Sequence, residues 1–189
     1  MATGNHEQLL PPRHQQLAMD VFSDGSAVAY VERGPNGFRM FRLSLDGRAS
    51  PAPLLPGPLR ATDMRLSPDG SLVSFSAGTE KGRRDVYIST VGVTSVPVMA
   101  AKGASGPARF SRDGSRIYFV IGDDTMMTAT VTTVPSLTVG APERLFRLPR
   151  PARLQDVSRD GHFLLLEPQV RADQQPIHVW TGAISSTQR

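Results

Sequence analysis

Leu66-Ser67-Pro68-Asp69-Gly70, followed by Ser71-Leu72-Val73-Ser74-Phe75, sets a turn before a strand, and the turn recurs along the chain. Its other copies are Val21-Phe22-Ser23-Asp24-Gly25, Phe110-Ser111-Arg112-Asp113-Gly114 and Val157-Ser158-Arg159-Asp160-Gly161. The four glycines fall 45, 44 and 47 residues apart. Asp-Gly suits a tight hairpin, because Asp bonds its own backbone and Gly takes positive φ without a steric penalty. Strand-like sequence on both sides of each turn, at a near-constant period in this range, predicts an all-β chain built as a β-propeller of four four-stranded antiparallel blades.

Working outward, each turn leads into alternating apolar residues: Val28 and Tyr30, Val73 and Phe75, Ile117 and Phe119, Leu164 and Leu166 are expected on one face. The strand before each turn ends on Phe22, Leu66, Phe110 and Val157. A third strand follows a turn-rich loop at Arg39 to Leu43, Asp85 to Ser89, Met126 to Val131 and Ile177 to Trp180. Outer strands are expected at Ala52 to Leu55, Val96 to Met99 and Glu143 to Phe146. The fourth repeat lacks one, and Glu7-Gln8-Leu9-Leu10-Pro11-Pro12 reads like the outer strands elsewhere. Residues 7–12 are therefore expected to pair with Ile177 to Trp180 and close the ring, which would remove exposed strand edges. The chain reads as one domain, with repeats at about 17–56, 60–100, 107–148 and 154–181.

Composition narrows the function classes. With 39% hydrophobic and 20% charged residues, the chain is that of a globular protein rather than a disordered one. No apolar run reaches the length of a transmembrane helix, and residues 1–20 contain no signal-peptide core. As written, the chain is expected in the cytoplasm, or outside it as a fragment of a membrane-anchored sensor. Cysteine is absent, which excludes disulfides and thiolate metal sites. Net charge is +4, but Arg residues are scattered among acids and form no stripe, which disfavours a nucleic acid partner.

The Ser-x-Asp-Gly turns with their alternating strands, from about Leu17 to Trp180, resemble the TolB-like, WD-repeat-like family of bacterial β-propeller repeats. Leu66 to Ser71 with Asp85-Val86-Tyr87-Ile88 is the best match to that repeat. Met126 to Pro142, Asp156 to Gly161 and Ile177 to Trp180 are similar to the C-terminal blades of large bacterial sensors, in which a propeller follows a kinase or a DNA-binding domain. The resemblance implies a regulatory context. Family members usually carry six or more blades. Four leave open a closed ring, a partial arc of a larger propeller, and a homodimer that completes one.

No catalytic constellation stands out. Gly-x-Ser-x-Gly does not occur, and Gly103-Ala104-Ser105-Gly106 lacks its spacing. His6, His14, His162 and His178 form no pair at metal-ligand spacing, and Asp123-Asp124 lacks the rest of a calcium loop. Neither a metal nor a cofactor is expected. The repeated Asp24, Asp69, Asp113 and Asp160 read as turn chemistry. Inner strands of a propeller line its channel, which makes Arg65, Arg109 and Asp156, with Asp20 and Asp63 close by, the candidate channel residues; Val21 holds their place in the first repeat. Two guanidiniums there would clamp a carboxylate or phosphate, or would pair with the aspartates. Arg144, Arg147, Arg150 and Arg153 recur every third residue, which on a strand is not one face; the loop part, Arg147, Arg150 and Arg153, is a candidate anion-docking segment.

These readings favour a non-enzymatic binding or interaction module for a protein or peptide. Two alternatives stay open: a propeller hydrolase or lyase acting on a sugar or lactone, using Asp20, Asp63 and Asp156, and a remnant of a larger sensor without activity of its own.

Overall fold

The computed structural model describes residues 8–11, 15–47, 50–56, 61–78, 84–92, 96–122, 124–149, 151–158, 160–167 and the backbone of 178–180. Among them there are sixteen β-strands and no helix. In the first repeat β1 (Gln16–Val21), β2 (Ala27–Gly34), β3 (Gly37–Ser44) and β4 (Ala52–Pro53) form an antiparallel sheet in chain order. The second contains β5 (Ala61–Leu66), β6 (Leu72–Gly78), β7 (Arg84–Thr90) and β8 (Val98–Ala104). The third contains β9 (Arg109–Phe110), β10 (Arg116–Ile121), β11 (Thr125–Thr132), β12 (Thr138–Val139) and β13 (Glu143–Arg147). In the last, β14 (Arg153–Val157), β15 (Phe163–Leu166) and β16 (His178–Trp180) make a three-stranded sheet.

The expected outer strand of the second repeat is longer than its sequence pattern. Val98, Met99 and Ala101 pair with β7, and Ala104 then pairs with Ile121 of β10. One strand thereby serves as the outer edge of one blade and the start of the next, which joins the two middle repeats into a nine-stranded sheet.

Three core clusters lie between consecutive repeats. Ala27, Ala29 and Val31 of β2 pack with Met64, Val73 and Phe75 of the second repeat. Val86 and Ile88 pack with Ile117 and Phe119 of the third. Tyr118, Val120 and Met126 pack with Leu154, Phe163 and Leu165 of the fourth. Alternate residues of β10 thus serve two interfaces, which is why Ile117-Tyr118-Phe119-Val120 reads as an unbroken apolar run. Burial on this scale, at roughly 25 cal/mol per Å² of apolar surface, is what holds one sheet against the next.

Three expectations are corrected. Residues 8–11 form no strand, and Leu9 is 48% exposed, so this segment does not complete the last sheet; residues 7 and 12 lie outside the described set. Without it no closed ring of sheets is formed among the described residues. In the fourth repeat the buried pair is Phe163 and Leu165 rather than Leu164 and Leu166. Its turn is one residue shorter: the Ser158 N–H bonds to His162 O, whereas Ser67 reaches Leu72 O and Ser111 reaches Arg116 O.

The third correction concerns the first turn, before which the strand was expected to end on Phe22. Gly25 N–H bonds to Phe22 O just as Gly70 bonds to Ser67 O and Gly114 to Ser111 O. Phe22 therefore stands in the serine place, and Val21 ends the strand. The backbone turn closes without the serine. Strand register agrees, since Val21 pairs with Val28 as Leu66 pairs with Val73, Phe110 with Ile117 and Val157 with Phe163.

Candidate functional site

With the register corrected, one position recurs on all four inner strands. Asp20 pairs with Ala29, Arg65 with Ser74, Arg109 with Tyr118 and Asp156 with Leu164. Each stands five residues before the glycine of its turn. The pairing slips just ahead of this position in three strands, between Ala18 and Asp20, between Thr62 and Arg65, and between Leu154 and Asp156. A bulge bends and twists its strand and re-aims the side chains beside it. Asp20, Arg65, Arg109 and Asp156 all line one cavity of about 390 Å³, together with Val21, Arg112 and Val157.

Each side chain in this set is anchored to backbone. Arg65 Nη1 donates to Met19 O at 3.0 Å, across the interface between the first two repeats, and to Met64 O at 2.7 Å. Arg109 Nη1 donates to Ala108 O at 3.0 Å. Asp20 accepts the Val21 N–H at 2.9 Å through Oδ1 and the Leu66 N–H at 2.9 Å through Oδ2. Asp156 Oδ1 accepts the Val157 N–H at 2.8 Å. Among the described residues no carboxylate oxygen approaches within 4.0 Å of either guanidinium, so the expected pairing of Arg65 and Arg109 with these aspartates is not made.

Arg109 is 5% exposed. Burial, with the like charge of Arg65 next in size, lowers its pKa to about 10, while Asp156, Asp20 and Asp63 oppose the shift. The cation is held in a site that desolvates it, with its counter-charges at a distance.

Asp63 sits apart from this set. It occupies the bulge of β5 with φ of 55°, in the left-handed region that Asp tolerates better than most residues, and its carboxylate pairs with Arg84. It is not among the residues lining the cavity. Two residues of the candidate docking segment, Arg147 and Arg153, are described. Arg147 lies at the end of β13 and bonds Asp124 Oδ2 through Nε at 2.7 Å, Arg153 opens β14, and Arg150 is outside the described residues. Asp123, His6 and His14 also lie outside them, as does the His178 side chain. Among the described residues no group of three or more His, Asp and Glu side chains could hold a metal.

The turn aspartates do what their recurrence suggested. Asp69 and Asp113 each accept a hydrogen bond from the serine two residues before and from the backbone and hydroxyl of the serine two residues after. In the third repeat these bonds, that of Ser111 first, hold Asp113 down to about 2. Arg112, which lines the cavity, was missed from sequence; its place beside the turn that carries Arg109 was the available signal.

No protein-family model matches the chain, and no curated protein matches it in sequence. Solved structures do. A putative TolB from Agrobacterium tumefaciens is similar with a TM-score of 0.60 and 22% identity, over 82% of this chain and 56% of that one. TolB from Acinetobacter baumannii gives 0.59 and 18%, over 87% and 41%. A gluconolactonase from Xanthomonas campestris gives 0.51 and 17%, over 77% and 53%. The chain spans about half the length of the TolB chains it matches. At these identities the likeness shows the fold, a TolB-like β-propeller.

Proposed function

We propose that the protein is a non-enzymatic binding module that takes a peptide segment of a protein partner at the cavity of its inner strands, in a bacterial sensing or regulatory setting. One observation carries this reading: four repeats place Asp20, Arg65, Arg109 and Asp156 at equivalent positions around one open cavity. Stacked sheets supply a stiff frame on which such a constellation is pre-organised, and pre-organisation lowers the entropic cost of binding. The groups gathered there are ones that recognise charge and hydrogen bonds. Lining serines Ser67 and Ser158 are engaged by the turn aspartates Asp69 and Asp160 rather than by a base.

The hydrolase or lyase alternative asks three carboxylates to converge. Asp63 is bound to Arg84 away from the cavity, and both Asp20 oxygens already accept backbone N–H groups. That the fold also occurs in a gluconolactonase does not bear on which residues act here.

The test is selection from a random peptide phage library on the immobilised protein, followed by measurement against Val21→Trp. Val21 is 55% exposed at the cavity, so the substitution crowds the site without touching the core. Selected peptides are expected to compete with one another and to bind the variant at least tenfold more weakly, a loss of about 1.4 kcal/mol. Peptides indifferent to the substitution, or turnover of a lactone by the wild type, would overturn the proposal.

A further inference from the structure

The cavity is lined by a buried cation whose donors are largely unused among the described residues. A guanidinium offers five N–H donors in a planar fork. Among the described residues the only hydrogen bond from the Arg109 side chain is Nη1 to Ala108 O. Among the same residues Arg65 uses only Nη1, on two backbone carbonyls. Both side chains line the cavity, one of them nine-tenths or more buried. Burying a charge is costly, and the fold has set the buried Arg109 beside a second guanidinium, the half-buried Arg65. Asp20 and Asp156 are near enough to act through the field and too far to make contact, and both Asp20 oxygens and Asp156 Oδ1 are held by backbone amides. These four groups face one cavity.

Resting on the binding-module reading, we propose that Arg109 and Arg65 together receive a carboxylate carried by the peptide partner. The planar fork matches a carboxylate in bidentate fashion. The charge balance selects this ligand over phosphate. Arg65, Arg109 and Arg112 against Asp20 and Asp156 leave the lining with a formal charge of +1, which a monoanion neutralises, whereas a phosphate dianion would exceed it beside two fixed carboxylates. At about 390 Å³ the cavity admits one side chain or one terminal residue rather than a folded surface.

The carboxylate has two sources, an acidic side chain or a chain terminus, and small probes separate them. The wild-type protein is titrated with acetate, with acetyl-glutamate amide, which has only a side-chain carboxylate, and with acetyl-alanine, which has only a terminal one. Inorganic phosphate and sodium chloride serve as controls at matched ionic strength. Nitrogen-15 NMR of the arginine Nε–H groups reports binding, with assignments taken from the signals lost in Arg109→Lys and Arg65→Lys.

Saturable shifts of both arginines are expected with acetate and with one acetylated probe, which names the source. Phosphate is expected to bind roughly tenfold more weakly, and Arg109→Lys to weaken acetate by a similar factor. Acetate shifts that merely follow chloride, or phosphate binding as tight as acetate, would overturn the assignment. Should Arg109→Lys fail to fold, Arg65→Lys and the wild-type comparison of acetate with phosphate still decide it. A protein that binds cavity-directed peptides but ignores acetate loses the carboxylate receptor and keeps the binding module; one that does neither loses both.

Discussion

The third and fourth repeats share a turn and a strand pattern, yet they sit in different surroundings. In the third, β10 is buried on both faces: Ile117 and Phe119 pack toward the second repeat, Tyr118 and Val120 toward the fourth. In the fourth, β15 buries Phe163 and Leu165 on one face, while Leu166, the counterpart of Val120, is 49% exposed against 1%. Stability in stacked repeats comes from intrinsic terms plus interfaces with neighbours, so a blade with two neighbours is expected to be firmer than one with a single neighbour. The residues of the two strands are equally apolar. Their position in the stack makes the difference.

The strongest way to break this contrast is to hollow out the third repeat. Phe119→Ala removes a fully buried ring between two sheets and is expected to cost about 3–5 kcal/mol, read by urea denaturation as a lower midpoint with the slope preserved. A cost below about 1 kcal/mol would mean that β10 is not the centre of the core.

Much of the fold is legible in sequence because its recurring element is local. Asp113 bonds residues within two positions of itself, so the chemistry of the turn is written in consecutive residues. What escaped was register. Phe22 replaces the turn serine while the backbone bond from Gly25 persists, so an alignment on serine misplaces Asp20 by one residue; counting back from glycine recovers it. The closing strand escaped for another reason. Gln8 to Pro11 shares composition with Ala52 to Leu55, but a strand forms only beside an edge that accepts it, and composition does not supply one. Of the site, the convergence of Arg65, Arg109 and Asp156 was readable from spacing. Whether they pair was not, because that depends on distances between sheets.

A smaller effect sharpens the comparison at the turns. Ser111 donates to Asp113 at 2.6 Å and accepts the Arg116 N–H at 2.9 Å; Ser158 donates to Asp160 and accepts the His162 N–H, but there His162 Nδ1 also meets Asp160 at 2.8 Å. Ser111→Ala is expected to cost about 1 kcal/mol at neutral pH, and Ser158→Ala a similar amount, because Asp113 keeps Ser115 as a partner and Asp160 keeps His162. The folded pKa of Asp113 is depressed, so its contribution is present above the ordinary carboxylate value and fades as pH falls toward about 2. The gap between wild type and Ser111→Ala should therefore narrow through that window in acid denaturation. A gap independent of pH would mean that the serine acts only through Arg116.

The least effect is expected at Leu166, and it bears most directly on how the stack ends. Val120 and Leu166 stand at equivalent positions, so in a continuing stack Leu166 would be covered by the next blade as Val120 is by the fourth. In a closed ring that blade would be the first, whose Val28 and Tyr30 occupy the complementary positions on β2. With Leu166 half exposed, Leu166→Ser is expected to change stability by no more than about 0.5 kcal/mol, whereas Val120→Ser introduces an unpaired hydroxyl into the core and should cost several times as much. Thermal unfolding of the two variants side by side makes the test. If Leu166→Ser proves as damaging as Val120→Ser, that face is covered in solution, by the first repeat or by a second copy of the chain. Solution mass by light scattering would separate those two, since only the second doubles the particle.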